Sequence, residues 1–98
     1  MNSKIKSKET DFLFQAILKL KNEEECYQFF EDLCTVNELK AMSQRLVVAK
    51  MLSEGRVYSD IVDATGASTA TISRVKRSLE YGYDSYTMVF DRLGEESK

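Results

Sequence analysis

Between Val57 and Leu79 the chain reads VYSDIVDATGASTATISRVKRSL, and its glycine at 66 restricts what this stretch can become. Ile61 and Val62 are the apolar residues of a short first helix. Gly66 follows at a distance that suits a helix C-terminus, where positive φ is cheap only for glycine. Ser68 stands where an N-cap is needed, so that its hydroxyl can accept from an unpaired backbone N–H of the next helix. From Thr69 onward the apolar residues Ile72, Val75 and Leu79 recur at intervals of three and four, which makes one buried stripe on a helix. The segment predicts two short helices joined by a glycine turn.

The second helix is polar on its outer side. With successive residues about 100° apart, Ala70, Ser73 and Arg77 fall roughly opposite the apolar stripe. Arg74 is on the shoulder of that face, with Thr69 and Lys76 flanking it. From Ala67 to Leu79 there are three basic residues and no acidic one. A small, neutral N-terminal half followed by a cationic C-terminal half is what a helix-turn-helix DNA reader requires. Its recognition helix sets N-terminal residues against base edges in the major groove. Phosphate contacts supply most of the affinity, and base-edge contacts supply sequence choice. Within residues 68–80 the candidate DNA contacts are Ser68, Thr69, Ala70, Ser73, Arg74, Lys76 and Arg77. An ordinary αα-hairpin with a solvated basic face can show any one of these features. The glycine turn, the serine two residues later, T-x-S-R and the apolar stripe are jointly more specific than that.

Composition bounds the alternatives. The chain has 98 residues, enough for a single small domain spanning 1–98. A core of that size is often completed by a partner chain. Net charge is −2, yet the charge is segregated: residues 1–34 and 81–98 each carry −2, and residues 35–55 and 56–80 each carry +1. The positive surplus is small, so a single chain should bind DNA weakly. Two chains presenting two such helices gain through effective concentration. There is no histidine, which removes the commonest general base and metal ligand. No phosphate loop, paired-carboxylate motif or cysteine site stands out, so an enzyme is not expected, and neither a metal nor a cofactor. Cys26 and Cys34 are about 12 Å apart along the axis if they share one helix, too far for a disulfide. They read as reduced, buried thiols of a cytoplasmic protein. The longest aliphatic run is Leu46 to Ala49, so neither a signal peptide nor a membrane span is expected.

The rest of the chain reads as helices too. Residues 1–8 and 94–98 are expected to be loose tails. Residues 9–21 carry the helical stripe Phe12, Leu13, Ala16, Ile17 and Leu20. Asn22 can cap a second helix whose first turn, Glu23 to Glu25, suits the helix dipole, and which runs to about Leu33. Thr35-Val36-Asn37-Glu38 is a capping box that starts a third helix. That helix carries Leu39, Met42, Leu46, Ala49 and Leu52 on one side, with Val47, Val48 and Met51 widening its apolar surface. It ends at Glu54-Gly55. Residues 84–93, with Tyr86, Met88, Val89, Phe90 and Leu93, form a short last helix. Apolar residues outside the two-helix segment exceed what a three-helix core needs. Residues 9–52 and 84–93 are therefore expected to build a homodimer interface rather than only enlarge a monomer core.

This layout resembles the Trp repressor superfamily, most closely its TrpR-like YerC/YecD group. The residues that carry the resemblance are Leu33 to Arg45 (LCTVNELKAMSQR), the helix end at Gly55, and Gly66 to Leu79 (GASTATISRVKRSL). The general arrangement covers about residues 9–93, and the motif-level match about 35–79. The resemblance implies an all-α, six-helix chain that interlocks with a second copy. Each dimer then offers two recognition helices to successive major grooves of a pseudo-palindromic site, with Thr69, Ala70 and Ser73 at the groove. It further implies a small-molecule corepressor site at Thr35, Arg45, Thr71, Arg74 and Ser78. Here the chain departs from the family's pattern. Val75 replaces a glycine that approaches the indole of tryptophan, so tryptophan itself is not the expected ligand. The first helix of the pair also lacks the family's basic residues, and its outward Tyr58, Ser59, Asp60 and Asp63 shift DNA contacts to the second helix.

The leading expectation is a dimeric, sequence-specific transcriptional regulator, a repressor, whose partner is double-stranded DNA. The alternative is a protein-interaction module on a helix-turn-helix scaffold, which Asp60, Asp63 and the acidic balance favour slightly.

Overall fold

The computed structural model describes residues 4–96. The tails expected at 1–8 and 94–98 therefore fall partly, at 1–3 and 97–98, outside the described residues. Among the described residues the regular structure is all helical. The elements are α1 (Lys8–Ile17), α2 (Glu23–Leu33), α3 (Val36–Ser53), α4 (Tyr58–Thr65), α5 (Thr69–Tyr81) and α6 (Ser85–Glu96). The chain divides into two compact units, Met1–Val36 and Asn37–Lys98.

In the first unit, capping sets the helix starts. Ser7 adopts an extended conformation and accepts from the Thr10 amide at 3.0 Å, so α1 begins at Lys8, inside the expected tail. The Lys6 ammonium pairs with Asp11 across this first turn. α1 ends at Ile17, earlier than the stretch 9–21. There Lys19 and Leu20 donate to the Ala16 and Ile17 carbonyls, tightening the chain out of the α-helix. Asn22 caps α2 by accepting from the Glu25 amide at 2.8 Å, and the Glu25 carboxylate in turn accepts from the Lys21 amide at 2.9 Å. Neither α1 nor α2 contains a buried residue. Phe12, Leu18 and Tyr27 are 74 %, 82 % and 64 % exposed, so apolar surface remains uncovered in this unit. Cys26 and Cys34 are free thiols and half-buried.

The second unit holds the core. Val48, Ala49 and Met51 of α3 pack with Ile61 of α4, Ala67 of the turn, and Ile72 and Val75 of α5. Leu52, Tyr58, Val62, Leu79, Tyr86 and Phe90 lie against this cluster. The covered arc of α3 matches the stripe that spacing suggests only in part: Ala49 is buried and Leu52 lies against the core, as expected. Met42, Leu46 and Val47 stay exposed, while Val48, Ala49 and Met51 are buried. α3 is apolar on several sides, and periodicity cannot say which arc its own chain covers. α6 runs to Glu96, past Leu93 and through Gly94, three residues beyond the expected end. Leu46, Val47 and Lys50 of α3 and Phe90, Leu93 and Gly94 of α6 line a recess of ≈ 410 Å³. The Lys50 ammonium lies 5.1 Å from the centre of the Phe90 ring.

Candidate nucleic-acid interface

The turn between α4 and α5 is held from three directions. Gly66 has φ 71°, the left-handed conformation, and its amide donates to the Val62 carbonyl at 2.8 Å. Thr65 Oγ1 donates to the Ile61 carbonyl and accepts from the Ala67 amide, at 2.7 and 3.1 Å. Gln44 of α3 reaches across and donates to the Thr65 carbonyl at 3.1 Å. Ala67 is 2 % exposed, so the turn is anchored in the core as well as by hydrogen bonds. The role of Gln44 escapes sequence reasoning, because no local spacing marks a bond between residues 21 apart.

α5 then begins at Thr69. Ser68 is extended, and its Oγ accepts from the Thr71 amide at 3.1 Å. Ile72 and Val75 are buried and Leu79 packs against the core, so the three-and-four stripe is the inner face of the helix. Ser68, Thr69, Ala70, Ser73, Arg74, Lys76 and Arg77 are all exposed. They do not form one uniform patch. Ala70, Ser73, Arg74 and Arg77, at i, i+3, i+4 and i+7, together line a shallow recess of ≈ 240 Å³. Arg74, expected on the shoulder of this face, thus borders the same recess as the other three. Among the described residues no carboxylate is within ion-pair distance of the Arg74 or Arg77 guanidinium. Lys76 leans elsewhere. Its ammonium is 3.9 Å from Glu80 and 5.8 Å from the centre of the Tyr58 ring of α4. On α4, Asp60 pairs with Arg56 at 3.5 Å, which neutralises one of its two outward acids.

The five residues of the implied corepressor site are differently engaged. Thr71 is half-buried, and its hydroxyl is 3.1 Å from that of Ser68. Ser78 donates back to the Arg74 carbonyl at 3.4 Å. Arg45 is half-buried on α3, and Thr35, exposed, precedes that helix. Val75 is 2 % exposed and part of the core. Among the described residues no group of three or more acids or cysteines is placed to hold a metal ion.

The family described as Trp repressor protein matches this sequence over residues 8–94. The chain belongs to the Trp repressor family. It is 60 % identical over 92 residues to the uncharacterized protein YerC of Bacillus subtilis (strain 168), a match that spans 94 % of this chain and 88 % of YerC. A Trp-repressor-type protein of Staphylococcus aureus has a similar crystal structure, with TM-score 0.90, 60 % identity, and coverage of 93 % of this chain and 91 % of that one. A TrpR-like protein of Eubacterium eligens ATCC 27750 is equally similar, with TM-score 0.91, 61 % identity, and coverage of 95 % and 96 %. This family member thus falls in the TrpR-like YerC group, and its all-α, six-helix chain is that of its relatives. No helix of the described residues is long and apolar enough to cross a membrane.

Proposed function

We propose that this Trp repressor family member is a cytoplasmic, homodimeric transcriptional regulator that represses by binding a pseudo-palindromic operator. α4 and α5 act as its helix-turn-helix, and residues 68–80 meet the DNA. One observation carries this reading. Ala70, Ser73, Arg74 and Arg77 form a single solvent face on a helix whose other face is locked into the core, and both guanidiniums are without acidic partners among the described residues. Small side chains let the helix approach closely, and unpaired guanidiniums are ready donors for phosphate and base edges. Lys76, drawn toward Glu80 and Tyr58, contributes long-range attraction rather than a fixed contact. The exposed apolar surface of α1 and α2, and the recess between α3 and α6, support a second copy as the partner that covers them.

No effector enters this reading. Thr71 and Ser78 already have their hydroxyls hydrogen-bonded within α5 and its cap, and Val75 fills core space.

The test is binding to random duplexes, by selection and sequencing, followed by salt titration of the enriched site. The expected result is a two-fold symmetric site with half-sites about one helical turn apart. Arg77→Ala should then weaken all sequences alike and lower the salt slope by about one for each phosphate that is no longer neutralised. An unchanged affinity and slope would remove Arg77 from the interface. No enrichment at low salt, with a protein co-purifying instead, would favour an interaction module.

A further inference from the structure

Resting on that reading, we propose that Arg74 is the base-selecting residue of this chain, and that it reads a guanine in each half-site. The four residues of the outward face differ in what they can do. Ala70 offers only a methyl group, which can meet a thymine methyl. Ser73 offers a short hydroxyl that either donates or accepts, so it discriminates weakly. Arg74 and Arg77 have the reach and the fixed fork of donors that match the two acceptors of guanine in the major groove.

Position along α5 separates the two arginines. Ala70 is the second residue of the helix, and Arg74 stands one turn further on, beside Ser73. Its neighbours on the face toward the helix N-terminus are therefore the two smallest side chains there. A helix that sinks into a groove over Ala70 and Ser73 brings the Arg74 guanidinium to the groove floor. Arg77 lies about 4.5 Å further along the axis, toward the end that leaves the groove, where the sugar–phosphate wall is the nearer target. Among the described residues no carboxylate pairs with Arg74, and it lines the same recess as Ala70 and Ser73.

The experiment repeats the duplex selection with wild type, Arg74→Ala, Arg74→Lys and Arg77→Ala. Circular dichroism verifies that each exposed-residue variant is folded. The wild-type site should carry a guanine at one symmetric position in each half-site. Arg74→Ala should abolish a preference of roughly tenfold or more at that position. It should leave the other positions selected. Arg74→Lys should restore affinity but only part of the guanine preference, because a point charge cannot form the fork. Arg77→Ala should keep the guanine and lose affinity across all sequences. If Arg74→Ala keeps the guanine and merely binds every duplex less well, Arg74 is a phosphate contact and the proposal is overturned while the regulator reading stands. If the wild type enriches no duplex, the regulator reading fails and takes this proposal with it.

Discussion

Gly66 is the residue on which the local geometry of the α4–α5 connection depends. At φ 71° an added Cβ would meet nothing within 4 Å, so space is not what excludes other residues there. The backbone conformation is, since a left-handed residue with a Cβ costs roughly 1–2 kcal/mol. Gly66→Ala should lower stability by about that amount, read from the denaturant midpoint, and Gly66→Asn should lose less because Asn tolerates this region. Equal losses for the two would mean that the strain lies outside φ. Arg74 and Arg77 contrast with this: they are exposed and their guanidiniums have no ion-pair partner among the described residues, so their loss should leave the fold intact and alter only what it binds. Val75 is a third kind of residue. Its side chain is buried in the core, 2 % exposed.

Among the elements, α2 and α5 are the most legible in the sequence, and for the same reason. Each starts at a residue whose side chain accepts a backbone N–H, Asn22 from Glu25 and Ser68 from Thr71, and those residue types mark helix starts. The outward face of α5 is legible for a related cause, since a three-and-four apolar stripe implies its opposite. α6 is less so: Gly94 reads as a stop, yet it sits in open space inside a helix that continues to Glu96. The end of α1 carries no glycine or proline at all to mark it. The buried arc of α3 and the Gln44 bond to Thr65 depend on what packs where, and no local pattern encodes that. The cap at Ser68 separates structural from functional roles experimentally. Ser68→Ala should cost about 1 kcal/mol of stability, whereas Ser68→Asp retains the cap. If the start of α5 faces DNA as proposed, the added carboxylate should nonetheless weaken binding. Chemical denaturation and a DNA titration on the same three proteins would check this. Wild-type affinity in the Asp variant would place the start of α5 away from the phosphates.

At the scale of the whole molecule, the apolar surface exceeds what the chain covers by itself. α1 and α2 contain no fully buried residue, although each carries large apolar side chains, and Leu46, Val47 and Leu93 border an open recess while 43 %, 49 % and 50 % exposed. Scattered apolar residues are normal on a surface, but large exposed apolar side chains in one unit and an apolar recess in the other fit the proposed dimer interface. A second copy is the partner in the proposed reading, and it also resolves the electrostatic weakness of a chain with net charge −2. Two recognition helices tethered in one dimer raise the effective concentration of the second for its half-site. If dimerisation completes the fold, stability depends on protein concentration by mass action. The melting temperature should therefore rise as concentration is raised, and sedimentation should give twice the 11.2 kDa chain mass. Leu46→Glu puts a charge into the recess and should shift the protein toward monomer at a given concentration. It should weaken operator binding more than it weakens binding to a single half-site. A sedimenting mass equal to one chain at every concentration, together with a fixed melting temperature, would leave the regulator without its second recognition helix and overturn the dimer.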